Sequence, residues 1–339
     1  MVKGITGLRA LSCMAIVLLH ILYSSMLMFG AYAGTAAYSV SSAVVNNLMW
    51  AVPCFVMITG ALLLDERRQA GYDRIFKKYM PRIIFALVIF SFIFRFYDMV
   101  MNHEKISAAG VFLVFKQMLT GSGWSHMWYL YLILAIYLLI PIYKKIVVSC
   151  SDRELHILTF ILILFLCILP LLNIFKLSSA IYIDVQTVYP LYLLMGYEIF
   201  FDRVKIKKGV YLGALIASTV LLIALTVIRN NYGLTYIDYL FKYSSPLVFV
   251  QALSIFALAA RSENSVAWID KLLATLDNCS FGIYLVHMIF VRSLIRYEQI
   301  NIYTEYGIIK LICMYLGTLV ASYLVVRAMK LIPVLKRVL

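Results

Sequence analysis

The sequence predicts an all-α polytopic membrane protein with about ten transmembrane helices and no soluble domain. Of its 339 residues, 64% are hydrophobic and only 14% are charged, and the mean hydropathy is +0.93. A soluble domain of this length needs a more polar surface. The apolar residues also form long continuous runs, the pattern of membrane-spanning helices. We therefore expect a single transmembrane domain over residues 1–339.

Ten apolar segments are each long enough to cross a bilayer, which takes about 20 helical residues. A further apolar segment, 108–119, is too short to span comfortably and is expected to be interfacial, re-entrant or an eleventh helix. The ten predicted spans are 8–29, 43–64, 80–98, 127–147, 155–172, 185–201, 209–228, 243–260, 279–297 and 308–330.

The net charge of +14 follows from how the chain crosses the membrane and does not indicate a nucleic-acid-binding surface. Lys and Arg concentrate in alternate loops and in the tail, whereas the intervening loop 30–42 has none. The positive-inside rule therefore predicts that both termini lie in the cytoplasm. The basic segments are 67–82, 144–153, 203–208 and 327–337.

Arg9 and His20 are ionisable residues inside the first apolar segment. Their spacing of 11 residues is about three helical turns, so both side chains share one face, roughly 16 Å apart along the axis. Ionisable groups in a span are costly and are usually functional. His20 can act as a general base near neutral pH, or it can bond a neighbouring helix. Arg9 can bind an anion, or it can reach lipid phosphates.

The second span and the entrance to the third carry packing and basic signals. Pro53 is expected to bend the second helix, and Gly60 to allow close helix approach. Lys77, Lys78 and Arg82 precede the third span on the same side as Arg9. They serve either as positive-inside anchors or as a collar that binds the phosphates of a nucleotide-bearing acyl donor.

Candidate substrate-binding residues cluster near the opposite side of the membrane. His126 and Tyr129 open the fourth span, where the aromatic residue suits the membrane interface and the histidine can line an outer mouth. Arg95 and Asp98 are spaced to form an ion pair, either structural or as part of a hydroxyl-rich acceptor site.

The ninth span contributes Tyr284 and a second intramembrane histidine, His287. His20 and His287 are expected to converge near the middle of the membrane, although His287 can also serve only to orient helices. None of the six cysteines forms a CxxC pair, and the sequence has no close cluster of metal ligands, so neither a metal site nor a disulfide framework is expected.

These pieces together resemble acyltransferase family 3, the integral-membrane acyltransferases of bacterial cell-surface sugars. The first span resembles the family's arginine with ten intervening residues before a histidine. The second and fourth spans resemble its other runs, and the ninth closely resembles its Ser-Phe-Gly-Ile-Tyr-Leu-x-His run. The matching segments read GLRALSCMAIVLLH, VPCFVMITGALLL, HMWYLYLILAIYLLIPI and SFGIYLVH.

The resemblance implies about ten helices in a bacterial plasma membrane and an acyl-CoA donor, most simply acetyl-CoA, bound from the cytoplasm. It implies an enzyme that transfers acyl groups, other than aminoacyl groups, to a hydroxyl oxygen. His20 is then the catalytic base and Arg9 its companion. Many members have Arg-x-x-Arg in the third helix, whereas here Tyr79 or Lys78 stands near the first arginine and Arg82 keeps the second. The SGNH-type extension of some relatives is not expected.

In the expected reaction, CoA phosphates contact Arg9, Lys78 and Arg82, and His20 removes the proton of a sugar hydroxyl that attacks the thioester. Tyr284, His287 or a backbone N–H is expected to stabilise the oxyanion. A covalent acyl-histidine is the alternative. The sequence leaves open the acyl group, the polysaccharide or lipid-linked glycan acceptor, and whether the protein is a homo-oligomer.

Two other classes of protein remain open. In a transporter or flippase for a polar lipid or sugar, the intramembrane Arg and His residues form the translocation path. Such proteins usually carry inverted repeats, and this sequence shows no internal repeat. In an accessory subunit of a polysaccharide export complex, the histidines are structural and their replacement leaves function intact.

Overall fold

The computed structural model describes residues 3–68, 70–104, 108–175, 187–262 and 266–339. Every described regular element is a helix, and nine helices are long and apolar enough to cross a membrane. The chain is therefore an all-α multi-pass membrane protein, as predicted. The α-helices are α1 Lys3–Met28, α2 Ala36–Leu48, α3 Ala51–Leu63, α4 Tyr72–Arg74, α5 Met80–Met101, α6 Ala108–Thr120, α7 Trp128–Ser149, α8 Asp152–Ile163, α9 Tyr189–Phe200, α10 Lys208–Tyr232, α11 Pro246–Ala260, α12 Ala267–Arg292, α13 Gly307–Met329 and α14 Pro333–Val338.

Helix α1 lies at the centre of the bundle, where it packs against α2, α3, α11, α12 and α13. Helices α1 and α12 run parallel, because the difference in residue number between contacting residues stays nearly constant along the two helices. Cys13 lies 3.4 Å from the Ser280 carbonyl and His20 lies 2.7 Å from His287. Arg9 and Asp277 continue this register toward the start of both helices. Both helices therefore begin at the same end of the bundle.

The parallel register constrains the number of crossings. In the described chain, seven helices long and apolar enough to cross a membrane precede α12. After an odd number of crossings, α12 would begin at the end of the bundle opposite to the start of α1. Helix α9 supplies the remaining crossing. It has only 12 residues, but ten of them, from Pro190 to Ile199, are buried. The predicted span 185–201 begins at residues outside the described part of the chain.

The second predicted span is two helices, because the chain breaks between α2 and α3 at Met49 and Trp50. Pro53 explains the break: its ring conflicts with the carbonyl four residues earlier, that of Met49, and it has no N–H to donate. The predicted segment 108–119 corresponds to α6, a short apolar helix that packs against α5.

Helices α3 and α9 approach so closely that two glycines sit against the opposing backbone. A methyl group on Gly60 would overlap the Leu193 carbonyl, and one on Gly196 would overlap the Met57 carbonyl. Small residues permit this kind of approach in membranes, where packing rather than the hydrophobic effect joins helices. The predicted packing role of Gly60 is confirmed.

We predict that Gly196→Ala destabilises the protein by about 1–3 kcal/mol, the usual cost of overpacking. The measurement is thermal unfolding of the purified protein in detergent. Gly213→Ala is the matched control, because the space around Gly213 within α10 is open and alanine is the better helix former. Equal melting temperatures for the two variants would contradict the close approach of α3 and α9.

Candidate functional site

The parallel packing of α1 and α12 brings His20 and His287 into contact. His20 Nδ1 lies 2.7 Å from His287 Nε2, and the two rings are nearly parallel with centroids 5.0 Å apart. His287 is fully buried, and its Nδ1 lies 3.1 Å from the Ile283 carbonyl. His20 is partly exposed, and its Nε2 has no hydrogen-bond partner among the described residues.

A third histidine, His126, completes a group that we call the histidine cluster: His20, His126 and His287. It lies in the single turn that precedes α7 and is buried. Its ring centroid is 6.4 Å from that of His20 and 5.6 Å from that of His287. The Nε2 atom of His126 lies 3.4 Å from the Leu285 carbonyl oxygen. The Tyr284 hydroxyl donates a hydrogen bond to the backbone carbonyl of His126. His126 was expected at an outer mouth and instead lies inside the bundle.

The histidine cluster contacts mainly its own rings and backbone carbonyls. Across the described ranges, no group of three or more His, Cys, Asp or Glu side chains is arranged to hold a metal ion. The rings instead contact one another and backbone carbonyls, which suits proton transfer better than metal ligation.

A cavity of about 310 Å³, which we call the basic pocket, extends from one end of the bundle toward the histidine cluster. Arg9, Arg68 and Arg82 line it. Tyr129 and Tyr284 also line it, and the Tyr284 ring lies 6.0 Å from that of His287. Ile16, one helical turn before His20 on the same face of α1, also belongs to the lining. The pocket therefore runs from the three arginines to Tyr284, which lies next to His287.

Arg9 is held in the basic pocket by Asp277, a residue that the sequence did not single out. Arg9 Nε lies 2.6 Å from Asp277 Oδ1, and the Asp277 side chain is only 5% exposed. A buried carboxylate is tolerated when a cation neutralises it. The signal was available in the sequence, since an aspartate lies in the same apolar helix as His287, but its partner was not.

Two further arginines reach the pocket from different parts of the chain. Arg82 donates to the carbonyls of Val338 and Leu339 and lies 5.2 Å from the Phe281 ring. Arg68, which the sequence marked only as part of a basic loop, follows a turn in which Arg67 donates three hydrogen bonds to the Asp65 carboxyl, one from its backbone N–H and two from its guanidinium. These bonds lower the pKa of the Asp65 carboxyl and so favour its ionised form.

Lys77 and Lys78, predicted as phosphate ligands with Arg82, do not line the basic pocket. Both are exposed, and Lys77 lies 3.3 Å from Asp73 on the protein surface. The basic run begins in a π-helical turn over Ile75–Tyr79, so its residues do not share one helical face with Arg82. Only Arg82 of this run turns inward.

A second cavity, of about 290 Å³, opens at the opposite end of the bundle, and we call it the polar cavity. Asp98 is its central acceptor: it accepts the Trp124 indole N–H at 2.9 Å, and Arg292 lies 3.2 Å away. The anticipated pairing of Arg95 with Asp98 is wrong, because Arg95 pairs with Glu104 at 2.6 Å. The other polar lining residues are Ser91, Gln117, Ser122, Ser125 and Tyr131.

Trp124 separates the polar cavity from the histidine cluster. Its ring stacks on Phe94 with centroids 4.3 Å apart, and the Arg292 guanidinium lies 4.7 Å from the same centroid. Two groups this close cannot share one face of the ring, so both faces are covered. The ring centroids of Phe94 and Trp124 in turn lie 5.2 and 6.0 Å from that of His126. The histidine cluster therefore lies between the two cavities.

A family model described as an acyltransferase domain matches residues 2–327, nearly the whole chain. No curated protein and no protein of solved structure matches the chain.

We predict that Asp277→Ala lowers the stability of the protein by about 1–3 kcal/mol, because it removes the buried carboxylate that contacts Arg9. This loss of stability lies at the lower end of the range for buried ion pairs, because the Arg9 side chain is 27% exposed. The double variant Arg9→Met/Asp277→Ala should be more stable than the sum of the single variants Arg9→Met and Asp277→Ala implies. Thermal unfolding of the four proteins completes the cycle, and strictly additive effects would contradict the pairing.

Proposed function

The chain belongs to acyltransferase family 3, and on that basis we propose that it is an integral-membrane O-acyltransferase of the bacterial plasma membrane. It moves an acyl group, most simply acetyl, from cytoplasmic acyl-CoA to a hydroxyl of a cell-envelope sugar or polysaccharide precursor. The observation that carries the proposal is the course of the basic pocket, which begins at three arginines and reaches Tyr284, whose ring lies 6.0 Å from that of His287.

The basic pocket suits a long donor with phosphates at one end and a thioester at the other. Arg9, Arg68 and Arg82 offer guanidinium groups, which bind phosphate through paired N–H donors. About 16 Å of helix separates Arg9 from His20, so the arm of the donor follows α1. Lys77 and Lys78 act at longer range, attracting the anionic donor to the cytoplasmic mouth.

The hydrogen bonds around His20 favour its role as general base. The Ile283 carbonyl can only accept, so His287 Nδ1 carries the proton of that bond. His287 Nε2 is then an acceptor, and His20 Nδ1–H donates to it. This arrangement leaves a lone pair on His20 Nε2, the nitrogen without a described partner. His287 therefore positions His20 and selects its tautomer.

The reaction is a direct transfer between the two cavities. The acceptor enters through the polar cavity, and the Trp124 side chain, which separates this cavity from the histidine cluster, moves to let its hydroxyl reach His20. His20 Nε2 then takes the proton of the hydroxyl as the oxygen attacks the thioester carbonyl. The C–S bond breaks, and the CoA thiolate takes the proton from His20 and leaves through the basic pocket. Asp98, Arg95 and His126 bind the acceptor, whereas Tyr129 and Tyr284, which line the basic pocket, contact the acyl end of the donor.

We predict that His20→Ala binds acetyl-CoA but loses at least about 100-fold of its turnover, the contribution of a positioned general base. The measurement is CoA release by purified protein in detergent, with water as acceptor, beside acetyl-CoA binding by calorimetry. Arg9→Ala should lose binding instead. His103→Asn is the control, because it removes an exposed imidazole at a positive-φ position that asparagine tolerates.

Two outcomes would overturn different parts of this assignment. A wild-type protein that neither binds nor cleaves acetyl-CoA or longer acyl-CoA thioesters would refute the donor. Wild-type turnover by His20→Ala would refute the base and leave the donor in place.

We predict that His287→Leu and His287→Gln differ in turnover although each removes the same ring. Glutamine can still accept the His20 N–H, so His287→Gln should keep most of the turnover. Leucine cannot, so His287→Leu should lose roughly 100-fold in kcat with little change in KM for acetyl-CoA. Equal loss in both variants, with equally lowered melting temperatures, would make His287 a packing residue only.

A further inference from the structure

The end of the described chain folds back into the basic pocket. Helix α14 packs against α5, and the two residues that close it are buried although their neighbours are exposed. Val338 is 5% exposed and Leu339 is 6% exposed, and Leu339 is part of the pocket lining. Lys336 and Arg337, by contrast, face outward.

The contact with Arg82 uses the edge of the guanidinium that arginine employs for anions. Arg82 Nε donates to the Val338 carbonyl at 2.7 Å, and its Nη2 donates to the Leu339 carbonyl at 2.9 Å. Two parallel N–H donors on one edge are the fork that binds carboxylate and phosphate oxygens in bidentate fashion. Two backbone carbonyls hold that fork here, in the positions of two phosphate oxygens.

The same fork faces a pocket whose other arginines are Arg9 and Arg68. A phosphate oxygen of the donor and a backbone carbonyl of the tail cannot accept the same N–H in the same place. A donor that carries several phosphate groups can also engage the other arginines of the pocket, so it gains contacts beyond Arg82. The donor and the tail therefore compete for Arg82, and the donor can displace the tail.

We propose that residues 333–339 form an autoinhibitory latch that occupies the phosphate grip of Arg82 and is released when the acyl donor binds. The proposal rests on the donor assignment made above. The latch occupies the paired N–H donors of Arg82 while no donor is present, and Leu339 forms part of the pocket wall. Binding of the donor opens it, so the latch lowers the apparent affinity for acyl-CoA without contacting the reacting atoms.

Deletion of residues 333–339 tests the latch through acetyl-CoA binding. We expect the dissociation constant to fall about fivefold or more, because the deleted protein no longer populates a closed state. The control Lys336→Ala/Arg337→Ala removes two exposed charges but keeps the buried contacts, and it should bind as the wild type does. Unchanged or weaker binding by the deletion variant, with an unchanged melting temperature, would overturn the latch.

Limited trypsin digestion gives a second readout that needs no truncation. Saturating CoA should speed cleavage after Lys336 and Arg337, because release of α14 exposes the backbone. Slower or unchanged cleavage with CoA bound would contradict displacement. If the wild type and the deletion variant both fail to bind any acyl-CoA, the donor assignment fails. If both bind equally, only the latch fails.

Discussion

The parallel contact between α1 and α12 is the interaction on which the rest of the site depends. It joins residues about 267 positions apart in the sequence, and it sets one register for an ion pair, a thiol–carbonyl contact and a histidine pair. A shift of either helix by one residue would turn these side chains away from one another by about 100°. The chemistry therefore depends on packing precision between the first span and one near the end of the chain.

Charge inside the bundle is compensated by partners on other helices. Arg9 meets Asp277, Arg292 meets Asp98, and Glu198, fully buried on α9, meets His156 of α8 and the Thr159 hydroxyl. Each of these pairs joins two helices and so fixes their relative positions, and in the two arginine pairs the cation also neutralises the carboxylate. Such contacts matter more in a bilayer than in water, because lipid supplies little apolar drive for helices to associate.

The two cavities divide the site by chemistry. The basic pocket is cationic and lined by tyrosines near the histidines, whereas the polar cavity holds an aspartate, hydroxyls and arginines that already have carboxylate partners. The histidine cluster is the only part of the described site that both cavities approach. The stacked Phe94, Trp124 and Arg292 separate the polar cavity from the histidine cluster.

The sequence by itself determined the membrane class, most of the spans, the break at Pro53 and the family. It also placed Arg9 and His20 on one face of a helix, because that relation depends only on the local helical period. The tertiary structure decided the partners: Asp277 for Arg9, Glu104 rather than Asp98 for Arg95, and the tail carbonyls for Arg82. It also brought His126 inward and left Lys77 and Lys78 outside. An apolar pattern indicates that a segment spans the membrane, but most faces of such a helix can contact lipid. Small residues and specific polar contacts therefore determine which helices pack together, and no local sequence pattern reveals them.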